Sequence, residues 1–180
     1  MLKKLIRNEK GLTLIELLAV IVILGIIAAI AIPSIGGLID NSKKDAHVAN
    51  AQQMINAAKI AVTADKDLIP ANGKYTVLPL AYLENKGYLE TVKDPDGDTT
   101  TYKKGPDSYD GKPITSGDGK PITDDPKAAY SYVLIKNDNT KLKYYVKLIN
   151  SSRGVFDEKN GNGAVEEKNL KRDAVNDIKK

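Results

Sequence analysis

The chain has 180 residues, no cysteine, and 27 basic against 23 acidic side chains, for a net charge of +4. Without residues 1–11 the balance is 23 basic to 22 acidic, so the remainder is nearly neutral. This balance excludes a basic surface of the kind that binds phosphates, and nucleic acid is not expected as the main partner. The absence of cysteine excludes a disulfide framework, a thiolate metal site and a cysteine nucleophile.

An apolar run follows the basic N-terminus. Residues 12–32 form a stretch of 21 residues in which Glu16 is the single charged side chain. At a rise of about 1.5 Å per residue, a helix of this length spans the roughly 30 Å of a hydrocarbon core. The basic residues that precede it are Lys3, Lys4, Arg7 and Lys10. Basic residues are in excess before the run, whereas basic and acidic residues balance after it. This asymmetry predicts a membrane anchor with a cytoplasmic N-terminus and an exported head.

Two simpler interpretations of this run remain open. A secretory signal peptide could be cleaved at the small-residue pattern of residues 29–31, but its apolar region is usually only about 7–15 residues long. A plain single-pass anchor explains the length and leaves Glu16 without a role. An ionisable group at membrane depth costs roughly 2.5 kcal/mol or more and usually marks a functional contact.

The N-terminal residues resemble a known family. The basic leader, "KG" at residues 10–11, "LTLIEL" at residues 12–17 and the apolar helix are similar to the class III signal of type IV prepilins and pseudopilins. The resemblance implies that a prepilin peptidase cleaves after Gly11 and methylates the new N-terminal amine of Leu12. Leu12 departs from the pattern, since the first mature residue is usually Phe in this family.

Glu16 and Pro33 are the fifth and twenty-second residues counted from Leu12, where the family carries its glutamate and its helix-kinking proline. In the family, the glutamate of one subunit is thought to meet the freed amine of a neighbour inside the filament. A buried charge pair is strongly attractive when formed and costly when broken, so it would fix the axial register of smooth apolar helices. Pro33 is predicted to bend or loosen the helix by removing one hydrogen bond.

The pattern becomes amphipathic after the apolar run. Apolar side chains recur at spacings of three and four residues and predict a helix that continues to about Ala64 and packs on a sheet. These side chains are Val48, Ala51, Ile55, Ala58 and Val62. The single histidine, His47, lies beside this stripe without a recognisable catalytic partner and is interpreted as a solvated or interfacial residue.

Residues 75–98 are predicted to form a short helix that ends near Gly87 and a turn into the sheet. "YLENKGYL" followed by "KDPDG" is similar to the connecting segment of pseudopilins and of some pilins of Gram-positive bacteria. The acidic residues of this turn, which open like an EF-hand calcium loop, are Asp94, Asp96 and Asp98. Thr99 and Gly105 replace the glycine and closing glutamate that such a loop needs, so an ordinary polar turn is favoured over calcium. No metal or cofactor is otherwise expected.

The rest of the head is predicted to contain a turn-rich excursion and a β-hairpin. Residues 94–126 are rich in Gly, Pro and Asp and include "GKPIT" twice. Residues 129–136 and 141–150 are rich in Tyr and Val and predict two antiparallel strands. The face of the second strand expected to meet the helix carries Tyr144, Val146 and Leu148.

The C-terminal segment leaves two questions open. Residues 170–178 fit either a last strand or a short helix. A polar cluster at a predicted turn could hold an ion, although turn chemistry explains it equally well. Its members are Asp157, Asn160 and Asn162.

The sequence thus predicts an α+β protein with a type IV pilin fold, in which a long N-terminal helix packs on a small antiparallel sheet. The predicted parts are a leader at residues 1–11, a transmembrane and filament-core helix at 12–39, its amphipathic continuation at 40–67 and a globular head at 68–180. The resemblance implies a single-pass membrane precursor that becomes part of an extracellular pilus.

The function implied by the resemblance is structural and not enzymatic. The subunit would form a helical homopolymer for adhesion, motility or DNA uptake, with prepilin peptidase, an assembly platform and ATPase, and membrane lipid before assembly as its partners. The missing cysteine points to a pilin of Gram-positive type, since most Gram-negative pilins close a C-terminal loop with a disulfide. Two alternatives remain: a pseudopilin of a secretion or competence system, and a membrane-anchored exported enzyme, which the single histidine and the missing phosphate-loop and metalloprotease motifs disfavour.

Overall fold

The structure is a computed structural model that describes residues 13–97, 101–105, 114–115, 130–139, 141–158 and 163–178. Gly11, Leu12 and Asp98, as well as the second "GKPIT" copy, lie outside the described residues. The chain divides between Asp40 and Asn41 into two units, which are taken in turn.

The first unit is helical. Helix α1, Leu14–Ala64, begins in this unit and continues into the second, and Pro33 lies inside it without ending it. Its residues up to Ile39 are mostly Leu, Ile, Val and Ala, and their large apolar side chains are exposed. This part of the helix satisfies its own backbone hydrogen bonds but buries almost none of its apolar surface, so it has no core of its own.

The second unit contains the remainder of α1, which is amphipathic as the spacing of its apolar residues predicts. Its buried residues are His47, Ala51, Met54, Ile55, Ala57, Ala58, Ala61 and Val62. They share one hydrophobic core with the sheet residues Val133, Val146 and Leu148. The prediction that this part of the helix packs on a sheet is confirmed.

A strand and a short helix follow α1. A 3₁₀ turn at Lys66–Leu68 leads to β1, Tyr75–Pro79, and α2, Leu80–Asn85. The prediction of a single short helix from residue 75 is therefore wrong for its first five residues. "YTVLP" is buried at every position and carries aromatic and β-branched side chains, which favour a strand, and Pro79 then precedes the first helical residue. The end of α2 just before Gly87, whose φ is 73°, agrees with the prediction.

Seven described strands form the antiparallel sheet. The order is β2-β1-β3-β4-β5-β7, and β6 pairs with β4. The strands not yet given are β2 (Ile114–Thr115), β3 (Tyr132–Asp138), β4 (Lys141–Ile149), β5 (Arg153–Val155), β6 (Val165–Glu166) and β7 (Val175–Asp177). A long helix followed by a small antiparallel sheet is the α+β architecture that the sequence predicts.

The β3–β4 hairpin is confirmed. Val133 pairs with Val146, and Asn139 takes a positive φ of 56° at the turn. Val146 and Leu148 are fully buried and Tyr144 packs against the same core, so this face of β4 meets the helix as expected.

Two other predictions change in the structure. Strand β2 lies within the predicted turn-rich excursion of residues 94–126, in the first "GKPIT" copy, and pairs with β1; this part of the excursion extends the sheet. In residues 170–178 both alternatives are partly right, because a 3₁₀ turn at Arg172–Ala174 leads directly into β7. Of the proposed C-terminal ion cluster only Asp157 is described, and it pairs with Gly163.

Candidate functional site

The first candidate site is the start of α1, where Glu16 and Thr13 form a reciprocal cap. The Thr13 backbone N–H and hydroxyl donate to Glu16 Oε2 at 2.7 and 2.6 Å, and the Glu16 N–H donates to Thr13 Oγ1 at 3.3 Å. The sequence Thr-Leu-Ile-Glu is a capping box, which satisfies backbone donors that a helix start otherwise leaves unpaired. Glu16 therefore already has a role within one chain, which the sequence analysis missed although the spacing of Thr13 and Glu16 carried the signal.

The cap leaves Glu16 able to act between chains. Both residues are exposed, and a carboxylate has about four acceptor positions, of which the cap occupies only some. A cationic amine from another chain could therefore approach Glu16 without displacing Thr13. The predicted cleavage site at Gly11 and Leu12 stays a prediction, as does the pairing of Glu16 with a freed amine.

The helix that follows this cap is apolar and exposed. Leu14 is 86% exposed, and the same character continues through Leu24 and Leu38. It is the one helix among the described residues that is long and apolar enough to cross a membrane. Pro33 is exposed within this stretch, and its predicted role as a kink stays a prediction.

The second candidate site is a buried polar cluster in the head, built around His47. Helix α1 supplies His47, the loop after α2 supplies Asp94 and Asp96, and the end of β4 supplies Asn150. His47 Nε2 lies 3.0 Å from Asp96 Oδ2, and Asn150 Nδ2 donates to Asp94 Oδ2 at 2.8 Å and to Asp96 Oδ2 at 2.9 Å. The site joins three elements that are far apart in sequence.

The interpretation of His47 as a solvated or interfacial residue is wrong, because its side chain is 0% exposed. The sequence carried a signal that was overlooked: His47 lies four residues before Ala51 and is therefore on the buried stripe of α1. A buried polar side chain needs partners, and His47 has them on both ring nitrogens.

The hydrogen bonds assign a tautomer to His47. Asn50 Nδ2 donates to the Tyr102 oxygen at 3.1 Å, and the Tyr102 hydroxyl lies 2.7 Å from His47 Nδ1. If the hydroxyl donates to Nδ1, the other ring nitrogen carries the hydrogen and donates to Asp96. Burial raises the pKa of Tyr102 well above its ordinary value, so the phenol remains protonated and able to donate.

Opposing effects act on Asp96. Burial raises its pKa, but hydrogen bonds from Asn150 and His47, together with the nearby Arg153 guanidinium, outweigh that effect and leave the pKa below its ordinary value. Arg153 Nε lies 3.2 Å from Asp96 Oδ2. Asp96 is therefore ionised at neutral pH and held by three donors on one of its two oxygens.

Asp94 stabilises the turn itself. Its Oδ1 accepts the Asp96 backbone N–H at 3.0 Å, as Asp side chains do in polar turns. The polar turn predicted for this segment is present in the structure. The turn also aims Asp94 and Asp96 at His47, a feature that turn chemistry alone does not require.

Comparison with known proteins bears on the N-terminal site. Residues 6–32 match the family model described as the prokaryotic N-terminal methylation motif. No curated protein and no solved structure matches the chain. The chain thus carries the class III signal of type IV pilins. The matched motif is followed by a helix that is long and apolar enough to cross a membrane.

Proposed function

We propose that this protein is the structural subunit of a type IV pilus, cleaved after Gly11 and polymerised through the N-terminal part of α1. The observation that carries the proposal is that the methylation motif at residues 6–32 coincides with an apolar helix whose side chains are exposed in the single chain. A signal peptide alone would not need the helix to continue into the head, as α1 does.

The exposed apolar surface needs a partner. Burying apolar surface contributes about 25 cal/mol per Å², and a soluble monomer rarely exposes an apolar patch of more than a few hundred Å². Lipid would cover the helix before assembly, and the same helices of neighbouring subunits would cover it in the filament. Both environments are apolar, so transfer between them costs little hydrophobic free energy, and specificity must come from polar groups.

Glu16 is the polar group proposed to set that specificity. Cleavage would create an ammonium at Leu12, and the carboxylate of a neighbouring subunit would then find a partner that the uncleaved amide cannot provide. The Thr13 cap orients the carboxylate towards the start of the helix. In this account, prepilin peptidase switches assembly on, and the platform protein and ATPase drive it.

A pseudopilin is the second candidate. Its support is the segment that contains α2 and the turn at Asp94, which resembles the connecting segment of pseudopilins. The two candidates share processing and helix assembly and differ in filament length. Long surface fibres seen by electron microscopy at native expression would favour the pilin, whereas short assemblies confined to the envelope would favour the pseudopilin.

Catalysis at His47 is not supported. Its side chain is fully buried and both ring nitrogens are hydrogen bonded, so it cannot reach an external substrate.

The N-terminal mass of the protein recovered from the cell surface tests the proposal. We expect a chain that begins at Leu12, with or without a methyl group, and we expect Gly11→Ala to block cleavage and abolish surface filaments. A matched control for the cleavage step is Gly25→Ala, which replaces a glycine of the same apolar helix away from the cleavage site and should leave cleavage unchanged. A chain that begins at Ile32 would identify a secreted protein, and an intact Met1 would identify a plain anchor; both would overturn the proposal.

A further inference from the structure

The His47 cluster has the donor set of a metal site. His47, Asp94 and Asp96 each offer one ligand atom, and these atoms lie within 4.8 Å of one another. Two ligand atoms bound to one zinc ion at about 2.0–2.2 Å are roughly 3.4 Å apart in tetrahedral geometry. His47 Nε2 lies 3.0 Å from Asp96 Oδ2, so the Asp96 carboxylate already stands beside the imidazole at close to this separation.

An unpaired oxygen points independently to a bound cation. The Asp96 side chain is only 8% exposed, and its Oδ1 has no hydrogen-bond partner within the described part of the chain. A buried acceptor without a partner costs about 1–3 kcal/mol, and more when it is charged. The donors on Asp96 are all directed to Oδ2, which leaves Oδ1 as the atom available to an ion.

We propose that His47, Asp94 and Asp96 bind a divalent transition metal ion, of which Zn²⁺ is the best fit. The sequence alone favoured an ordinary polar turn, with calcium as the weaker alternative for Asp94, Asp96 and Asp98 because carboxylates are calcium ligands. The structure brings an imidazole to the same carboxylates, and imidazole suits Zn²⁺, Cu²⁺ and Ni²⁺, whereas Ca²⁺ and Mg²⁺ prefer oxygen. The identity of the third ligand therefore changes the class of ion.

The surrounding residues fit the role of outer partners. Metal binding at His47 Nε2 requires the opposite tautomer to the one described above: the hydrogen moves from Nε2 to Nδ1, and the Tyr102 oxygen, 2.7 Å from Nδ1, changes from donor to acceptor. An acceptor on the second ring nitrogen is the usual way in which proteins orient a metal-binding histidine. Asn150 holds both carboxylates in place. With Arg153 beside Asp96, the two carboxylates retain one net negative charge, which attracts a divalent cation.

The ion would cross-link the head. His47 belongs to α1, whereas both carboxylates belong to the loop after α2, and Asn150 ties that loop to the end of β4. Binding to the folded state alone would raise the melting temperature in proportion to the logarithm of the free ion concentration. This inference does not depend on the proposed function.

The test uses the full chain in detergent micelles, stripped with a chelator and dialysed against Zn²⁺ or Ca²⁺. We expect one Zn²⁺ per chain, a higher melting temperature with Zn²⁺ than with Ca²⁺, and a Co²⁺ absorption spectrum typical of nitrogen and oxygen ligands. His47→Gln and Asp94→Asn should each weaken Zn²⁺ binding at least tenfold. The control is Asp67→Asn, since Asp67 is an exposed carboxylate in the 3₁₀ turn outside this cluster. This variant should bind Zn²⁺ as tightly as the wild-type chain.

Asp94→Asn keeps the result interpretable if His47→Gln does not fold. Asparagine retains the oxygen that accepts the Asp96 N–H, so the turn can form, while the ligand charge and the acceptor for Asn150 are lost. The proposal is overturned if the wild-type chain binds no Zn²⁺, if it binds Ca²⁺ more tightly than Zn²⁺, or if folded Asp94→Asn binds Zn²⁺ as tightly as the control.

Discussion

The two parts of helix α1 share one backbone conformation but differ in how their apolar side chains are arranged. In residues 14–40 the apolar side chains occupy every side of the helix and are exposed, whereas in residues 41–64 most of them lie on one stripe and are buried against the sheet, with Ile60 as an exposed exception. The secondary structure is the same in both. The spacing of the apolar residues therefore indicates whether a helix packs on one face or is surrounded by apolar partners, whereas the backbone conformation is the same in both cases.

The comparison also separates two kinds of polar group. Glu16 and Thr13 cap the exposed part and are available to another chain, whereas His47 on the buried part is enclosed by Asp96 and Tyr102. A polar residue on the buried stripe must find its partners within the same chain. A polar residue on the exposed part of the helix can pair with a residue of another chain.

Glu16→Val gives the largest effect that this contrast predicts. We expect the variant to be cleaved and retained in the membrane but to form at least tenfold fewer filaments, because the freed amine then lacks its carboxylate. The measurement is the amount of sheared surface filament at native expression. The matched variant Thr13→Ala removes the hydroxyl of the cap, at a cost of about 1 kcal/mol to the helix start, and keeps the charge.

Thr13→Ala should therefore reduce filaments far less than Glu16→Val. Equal losses in both variants would mean that Glu16 acts as a helix cap alone. Normal assembly of Glu16→Val would show that charge pairing with a neighbouring amine does not set the register.

Met54→Ala tests the buried part of the helix. Met54 is fully buried among the core residues of α1 and the sheet, so truncation should lower the free energy of unfolding of the head by about 2–5 kcal/mol. Ile60→Ala is the matched control, because Ile60 is 57% exposed on the same helix, and its effect should stay within about 0.5 kcal/mol. Denaturant unfolding of the detergent-solubilised chain measures both. Similar effects in the two variants would contradict the assigned core face.

Much of this architecture could be predicted from sequence because it depends on local periodicity. The stripe from Ala51 to Val62 and the Tyr- and Val-rich hairpin both follow patterns that short-range rules describe. Strand β1 was missed because "YTVLP" adjoins a helical segment, and its strand conformation depends on pairing with β3, more than fifty residues away. The aromatic and β-branched side chains of "YTVLP" are a local signal for a strand, but the partner that stabilises it is not visible in the local sequence.

The polar cluster shows the same limit. Asp94 and Asp96 stand out in a sequence because they are two residues apart, and their turn was predictable. His47 and Asn150 join them only through the packing of α1 and β4 on the loop, and nothing in the spacing of the chain places those residues together. The buried position of His47 was predictable from the helix period, but the identity of its partners was not.

Glu167 gives the smallest expected effect and tests how the C-terminal segment is held to the buried part of α1. Glu167 accepts hydrogen bonds from Lys59 and Gln52 on that helix. Burial raises its pKa, but the bonds from Lys59 and Gln52 outweigh burial and leave the pKa below its ordinary value. Because the pKa is lower in the folded state, this contribution to stability is present at neutral pH and is lost as the pH falls through about 4.3, the value for an unfolded chain, towards the folded value.

Glu167→Gln should therefore destabilise the head at pH 7 by roughly 0.2–1 kcal/mol, the range for partly exposed ion pairs, and the difference from wild type should be smaller at pH 3. Glu90→Gln removes an exposed carboxylate elsewhere in the head and serves as the control for net charge. Denaturant unfolding of the Glu167→Gln and Glu90→Gln variants at pH 7 and pH 3 measures the difference between them. A destabilisation of Glu167→Gln that is as large at pH 3 as at pH 7 would assign the effect to lost packing and not to the ion pair, because protonation of the wild-type carboxyl removes its attraction for Lys59.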